Sequence, residues 1–258
     1  MSQQLDPETS AVLRGAQAFL FDVFGTVVDW EGSVSRLLRA HYTGDLELDW
    51  LAFAREWRRG YGENTKRIAA GGEGARNIDE LHRQILDGML AAPRWAALGA
   101  AWDTEQRAAV NLVWHQLDGW PDAAPGLRAL KQHAIVGTLS NGNVRLLVDM
   151  AKHADLAWDV VFSGELLGSY KPNPVVYRTA LAQLALAAAP GACVLVAAHI
   201  YDLRAAAAQG FRTVYVRRPT EDAPERESVC SRRDGGEVDL VVDSFEELAA
   251  LVARAHAG

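Results

Sequence analysis

The chain has 258 residues, 49% hydrophobic and 23% charged, with a formal net charge of -7. That supplies one sizeable core and a second, smaller unit, and the acidic balance lacks the basic stripe by which nucleic-acid binders are recognised. The longest apolar run, Leu184 to Ile200, is broken by Pro190 and Gly191, so no membrane span is expected, and Cys193 and Cys230 form no metal or disulfide pattern, which suits free thiols in a reducing cytoplasm.

Met1 to Arg14 is polar and acidic, unlike a signal peptide, and reads as a loose lead-in. Ala18–Val23 is a short apolar run of strand type. From Asp29 to Asp122 the period changes: Leu37, Leu38, Phe53, Trp57, Ile68, Leu81, Ile85, Leu86, Val110 and Trp114 recur at three- and four-residue steps. This predicts an all-helical insertion with loops at Gly71–Gly74 and Pro93–Gly99, entered near Trp30–Gly32 and left near Gly119–Pro125. Strand-type runs resume at Ile135–Leu139, Val160–Phe162, Cys193–Ala197, Thr213–Val216 and Leu240–Val242. Most alternate with helical patterns such as Val144–His153, Pro174–Leu184 and Leu203–Gln209, while the charged Pro219–Glu237 stretch reads as a solvated loop. The prediction is an α/β protein with a doubly wound, Rossmann-like parallel sheet. Residues 1–30 and 121–258 form its core domain, and residues 31–120 an inserted all-helical cap domain.

Ligands bind an open parallel sheet outside the carboxyl ends of its strands, so polar residues there are the candidates for chemistry. Four segments qualify. Phe21-Asp22-Val23-Phe24-Gly25-Thr26 offers a carboxylate, and Leu139-Ser140-Asn141-Gly142-Asn143 a hydroxyl and an amide before a helix. Ser169-Tyr170-Lys171-Pro172-Asn173-Pro174 offers an ammonium on a stiff loop, and Ala197-Ala198-His199-Ile200-Tyr201-Asp202 a second carboxylate. Singly, each has a structural explanation: Asp and Ser cap helices, Lys is usually solvated and Asn-Gly is a turn. Their order on successive strand ends argues for a shared site.

Taken in order, FDVFGT, LSNG, YKP and the final Asp202 resemble the four motifs of the haloacid dehalogenase superfamily across nearly the whole core. The resemblance implies Asp22 as covalent nucleophile, Ser140 as holder of an oxygen and Lys171 as charge balance. An ammonium nearby would keep Asp22 ionised. In magnesium phosphatases of the superfamily an acidic residue lies two positions after the nucleophile and another four before the final Asp; here those are Phe24 and Ala198. The pattern is closer to the type II 2-haloacid dehalogenases, which use no metal or other cofactor, because a halide leaves without a proton.

That likeness assigns Arg58, after Trp57, and Asn141 to the halide. It assigns Ser140 and the amides of Val23 and Phe24 to the substrate carboxylate, and sets Thr26 beside the nucleophile. Tyr177, six residues past Lys171, packs against Lys171 and Asp22, while Phe24, Trp57 and Tyr201 exclude water. Arg58 read without the family is an exposed helix charge, and Tyr177 core filler. Where the family has Ser-Ser-Asn before the final Asp, this chain has Ala197, Ala198 and His199. His199 then replaces the amide, orients or deprotonates the hydrolytic water, or only satisfies Asp202. The implied partners are a small 2-haloacid and a halide ion, with a homodimer as the borrowed assembly. The alternatives are a magnesium-dependent phosphatase or phosphonate hydrolase, and a silent binding module on the same fold.

Overall fold

Six short runs of β-branched and other apolar residues make one sheet in the computed structural model of the chain, which describes residues 6–257. The strands are β1 (Ala18–Phe21), β2 (Ile135–Ser140), β3 (Val160–Ser163), β4 (Cys193–Ala197), β5 (Arg212–Val216) and β6 (Leu240–Val242). All pair in parallel, in the order β3-β2-β1-β4-β5-β6. The order reverses beside β1, and the crevice at such a switch point is where ligands bind. β1 is fully buried because both its faces are covered: Phe19 and Phe21 join one core cluster, Ala18 and Leu20 the other.

Helix α1 (Pro7–Arg14) precedes β1, and the insertion that follows β1 contributes five α-helices: α2 (Trp30–His41), α3 (Trp50–Ala69), α4 (Ile78–Ala91), α5 (Ala96–Ala101) and α6 (Thr104–Asn111). After them come α7 (Ala123–Leu130), α8 (Val144–His153), α9 (Gly164–Leu167), α10 (Pro174–Gln183), α11 (Ile200–Ala207) and α12 (Phe245–Ala257). Among the described residues of the insertion no strand occurs, as its helical period predicts. Helix α3 begins where the Asp49 carboxylate accepts from Ala52 N, and it buries Phe53, Trp57, Tyr61, Thr65 and Ile68 at three- and four-residue steps. The insertion's apolar side chains and one face of the sheet form a single continuous cluster. Its two connections lie together: Asp29 N donates to Asp118 O at 2.9 Å and Trp120 N to Val27 O at 3.0 Å.

Three sequence expectations are corrected here. The lead-in is ordered from Pro7 to Arg14, with Asp6 as N-cap and Leu13 fully buried against the α12 side of the core; its first five residues lie outside the described range. The Pro93–Gly99 loop gives way to α5 from Ala96, because Gly99 serves close packing: a Cβ there would collide with the Leu90 carbonyl oxygen. The Pro219–Glu237 stretch is not wholly solvated, since Arg218 just before it and Glu221 within it are both buried.

Candidate active site

β1 ends at Phe21, and the chain turns so that Asp22 stands at the sheet's carboxyl edge, 8% exposed, its amide donating to Val196 O in β4 at 3.1 Å. Gly25 permits the turn, with a φ of +84°. A Cβ at Gly25 would lie 2.5 Å from the Glu221 carboxyl carbon, so the same glycine also makes room for that acid.

Asp22 is held from both sides. Lys171 Nζ donates to its Oδ1 at 2.9 Å; Thr26 Oγ1 and His199 Nδ1 reach its Oδ2 at 2.7 and 2.9 Å. Burial by itself would raise the Asp22 pKa, but the Lys171 charge and the His199 and Thr26 hydrogen bonds hold it well below the usual carboxylate range. Lys171 also pairs with Asp202, whose other oxygen accepts from the Tyr177 hydroxyl at 2.6 Å. Burial works against the Lys171 ammonium, yet Asp202 and Asp22 together raise its pKa above the ordinary lysine value. Its backbone N–H donates to Asn141 Oδ1 at 2.6 Å, which joins the second and third motifs. Thr26 Oγ1 accepts from Ala198 N at 2.9 Å, joining the first and fourth.

His199 bridges two carboxylates: Nδ1 to Asp22, and Nε2 to Glu221 Oε2 at 2.8 Å. Burial opposes its charged form, but these two hydrogen bonds push its pKa up to about 10. Glu221 is in turn fixed by the Trp30 indole N–H at 2.7 Å and the Thr220 hydroxyl at 3.0 Å. Burial raises its pKa less than His199, Arg58 and Trp30 lower it, so it stays a carboxylate.

Arg58 arrives from α3. Its guanidinium lies 4.5 Å over the Tyr61 ring, 5.3 Å over Phe24 and 5.4 Å over Trp30, and its buried Nη1 has no partner among the described residues. The charges of Arg58 and Asp22 both bear on Tyr61 and Tyr201. An unpartnered guanidinium N–H in an aromatic cage beside the nucleophile is a ready receptor for a small anion.

Ser140 is buried at the end of β2, and its hydroxyl oxygen accepts from Gly142 N at 3.2 Å, which leaves the proton to donate elsewhere. The amides of Val23 and Phe24 have no acceptor among the described residues. Tyr201 sits at the rim, 43% exposed, its ring 5.6 Å from that of His199. Trp57 is not brought to the pocket: its indole N–H donates to His82 O at 3.0 Å and its ring packs on Phe53 and Trp114 inside the insertion. A crevice of about 390 Å³ opens between the Gly71–Gly74 loop and Ser169–Tyr170, and Asp22 does not line it.

Sequence reasoning missed Glu221, Trp30 and Tyr61. It also missed His82, which is fully buried, stacked 4.4 Å from Trp114 and kept neutral by burial and then by Arg58, its pKa lowered to about 3. The signal for Glu221 was present: it follows β5 at the same carboxyl edge as the other motifs.

The donor set does not fit Mg²⁺. The Lys171 ammonium joins the Asp22 and Asp202 carboxylates, and Phe24 and Ala198 bring no side-chain oxygen where a hard cation would be held by a carboxylate.

Residues 16–210 match the haloacid dehalogenase-like hydrolase family. (S)-2-haloacid dehalogenase 1 of Pseudomonas sp. is 29% identical over 223 residues, covering 83% of this chain and 92% of that protein. The crystal structure of a defluorinating L-2-haloacid dehalogenase superposes with a TM-score of 0.82 at 36% identity, covering 92% of this chain and 95% of that one. Another L-2-haloacid dehalogenase gives a TM-score of 0.79 at 34% identity, covering 91% and 98%. Family match, near end-to-end relatives and the four motifs meeting at one sheet edge lead to the same statement: the chain belongs to the haloacid dehalogenase-like hydrolases.

Proposed function

We propose that the chain hydrolyses small 2-haloalkanoic acids to 2-hydroxy acids without a metal, through an ester on Asp22. The observation that carries this reading is the pairing of an ionised, buried Asp22 with the unpartnered Arg58 guanidinium in its cage of Phe24, Trp30 and Tyr61. Asp22 attacks C2 in line and halide departs towards Arg58 and Asn141; water then attacks the ester carbonyl. Two easier steps replace one difficult displacement. Ser140 and the amides of Val23 and Phe24 hold the substrate carboxylate, Lys171 balances charge, and Asp202 with Tyr177 keeps Lys171 in place. Phe24 and Tyr201 limit bulk water, and Trp57 acts from behind by shaping the cap.

The reading extends to residues 31–120 as the cap over a core of residues 1–30 and 121–258, to a homodimer, and to the cytoplasm. Two unpaired cysteines suit a reducing compartment, and among the described residues no helix is long and apolar enough to cross a membrane. Fluoroacetate belongs in the substrate trial because one similar structure is that of a defluorinating enzyme.

The test is halide release from chloroacetate, fluoroacetate and each 2-chloropropionate enantiomer, with EDTA and then with Mg²⁺, beside p-nitrophenyl phosphate. Halide release indifferent to EDTA is expected. Phosphate release that requires Mg²⁺, with no halide, would overturn the reading.

A further inference from the structure

The two oxygens of Asp22 are not equivalent. Oδ1 has one donor, Lys171 Nζ at 2.9 Å, whereas Oδ2 has two, Thr26 Oγ1 at 2.7 Å and His199 Nδ1 at 2.9 Å. The less encumbered Oδ1 is the attacking oxygen, and Oδ2 becomes the carbonyl oxygen of the ester. His199 can donate to Oδ2 only through an N–H on Nδ1, and to the Glu221 carboxylate only through an N–H on Nε2. With both nitrogens protonated, the ring has no lone pair for deprotonating water.

We infer that Glu221 is a positioning residue that holds His199 as an imidazolium, so that His199 Nδ1–H and the Thr26 hydroxyl receive the oxyanion when the Asp22 ester is hydrolysed. The inference rests on the dehalogenase reading. In the first step the Oδ1–C2 bond forms, the C2–halogen bond breaks and its electron pair leaves on the halide. Esterification removes the negative charge of Asp22, and with it one of the two counter-charges of His199. The ring is only 7% exposed, and a buried imidazolium without a counter-charge tends to lose its proton. Glu221, anchored by Trp30 and Thr220 in the space above Gly25, prevents that loss. In the second step the water oxygen bonds to Cγ and the carbonyl pair moves onto Oδ2, between two donors already in place. Collapse breaks the Cγ–Oδ1 bond and frees the hydroxy acid. One proton of the water ends on its new hydroxyl, and the other is released as Asp22 re-ionises.

The groups around His199 are consistent with this state. Asp22 faces it from the end of β1 and Glu221 from beyond β5; Asp222 accepts from Ile200 N at 2.6 Å and lends further negative potential. The Tyr201 ring flanks it on its own helix, and Arg58 and Lys171 bear on Glu221 and Asp22 respectively.

The experiment is single-turnover kinetics with (S)-2-chloropropionate, following the halide burst and the mass of the intact protein, in wild type and E221Q across pH 6 to 10.5. In E221Q the burst rate should stay within a few-fold of wild type while hydrolysis slows by about tenfold to a hundredfold and the ester accumulates. The alkaline limit of hydrolysis, which in wild type lies below the His199 value of the free enzyme because the ester has lost the Asp22 charge, should move further towards neutral. Equal slowing of both steps, or hydrolysis unchanged with the pH limit unmoved, would overturn the assignment. Should E221Q fail to fold, H199Q reads the same step, since it keeps a donor but no charge: accumulated ester whose slow hydrolysis has lost the wild-type alkaline limit supports the inference, and wild-type hydrolysis sinks it. If wild type releases no halide at all, the dehalogenase reading fails first, and that outcome is separate from a burst without an altered second step.

Discussion

Asp22, Lys171, Asp202 and Arg58 divide the charge at the site, and each asks for a different substitution. Asp22→Asn removes the nucleophile but keeps its shape, so halide release should fall to background while the fold persists; clear turnover in clean protein would refute covalent catalysis at this position. Lys171→Met leaves the buried carboxylates of Asp22 and Asp202 without their common cation. Stripping one partner from a buried ion pair costs about 3–5 kcal/mol, so this variant should show a lower urea midpoint as well as lost activity. Asp22, Lys171 and Asp202 were legible in the sequence because their segments follow strands at one edge of a parallel sheet and come in family order. Glu221 was passed over although it too follows a strand, because a run of charged residues beside prolines has the composition of a solvated loop. Only the fold shows that Gly25 leaves a hole which the Glu221 carboxyl fills.

The same distinction holds for whole elements. The six strands were legible because buried parallel strands read as short apolar runs of distinctive composition, and the expected run Ile135–Leu139 differs from β2 by one residue. Arg58 could be placed on a helix by period alone, but its aromatic cage combines Tyr61 on the same helix with Trp30 and Phe24 from elsewhere. The short elements were harder. Helix α5 is Ala-rich without an apolar stripe, and its Gly99 reads as a breaker when its actual role is close approach to α4 at Leu90. Gly99→Ala should therefore destabilise the protein, although alanine is the better helix former. An overpacked contact of this kind costs about 1–3 kcal/mol, to be read from chemical denaturation with kcat unchanged. Increased stability would mean that the two helices separate freely.

At the scale of the molecule, the insertion is fastened to the core by polar contacts around the site's edge. The Asn173 amide donates to Ala69 O at 2.9 Å, the Tyr170 hydroxyl to Ala75 O at 3.0 Å, and Asn143 Nδ2 to Asp79 Oδ2 at 2.9 Å. His115 lies among them, 3.0 Å from Asp79 Oδ1 on α4 and 2.9 Å from Asp149 Oδ2 on α8. Burial opposes its charge, but the hydrogen bonds it donates to both carboxylates raise its pKa above the ordinary 6.5. A group whose pKa is raised on folding stabilises fully below its unfolded value and loses that contribution as pH climbs through the folded one. His115 and His199 share this sign, and for His199 the loss runs from about 6.5 to about 10. Asp22 and Asp79 have the opposite sign: their pKa values are depressed, so their contribution is present above the ordinary 3.8 and disappears as pH falls through the folded values. Thermal stability should therefore be greatest between the two ranges and decline from about pH 6.5 towards 10. His115→Gln should flatten the early part of that decline by removing one titrating link between insertion and core, and E221Q the later part. Calorimetry across pH 5 to 10 on the three proteins would decide it: parallel curves would place the alkaline loss of stability in groups other than these two histidines.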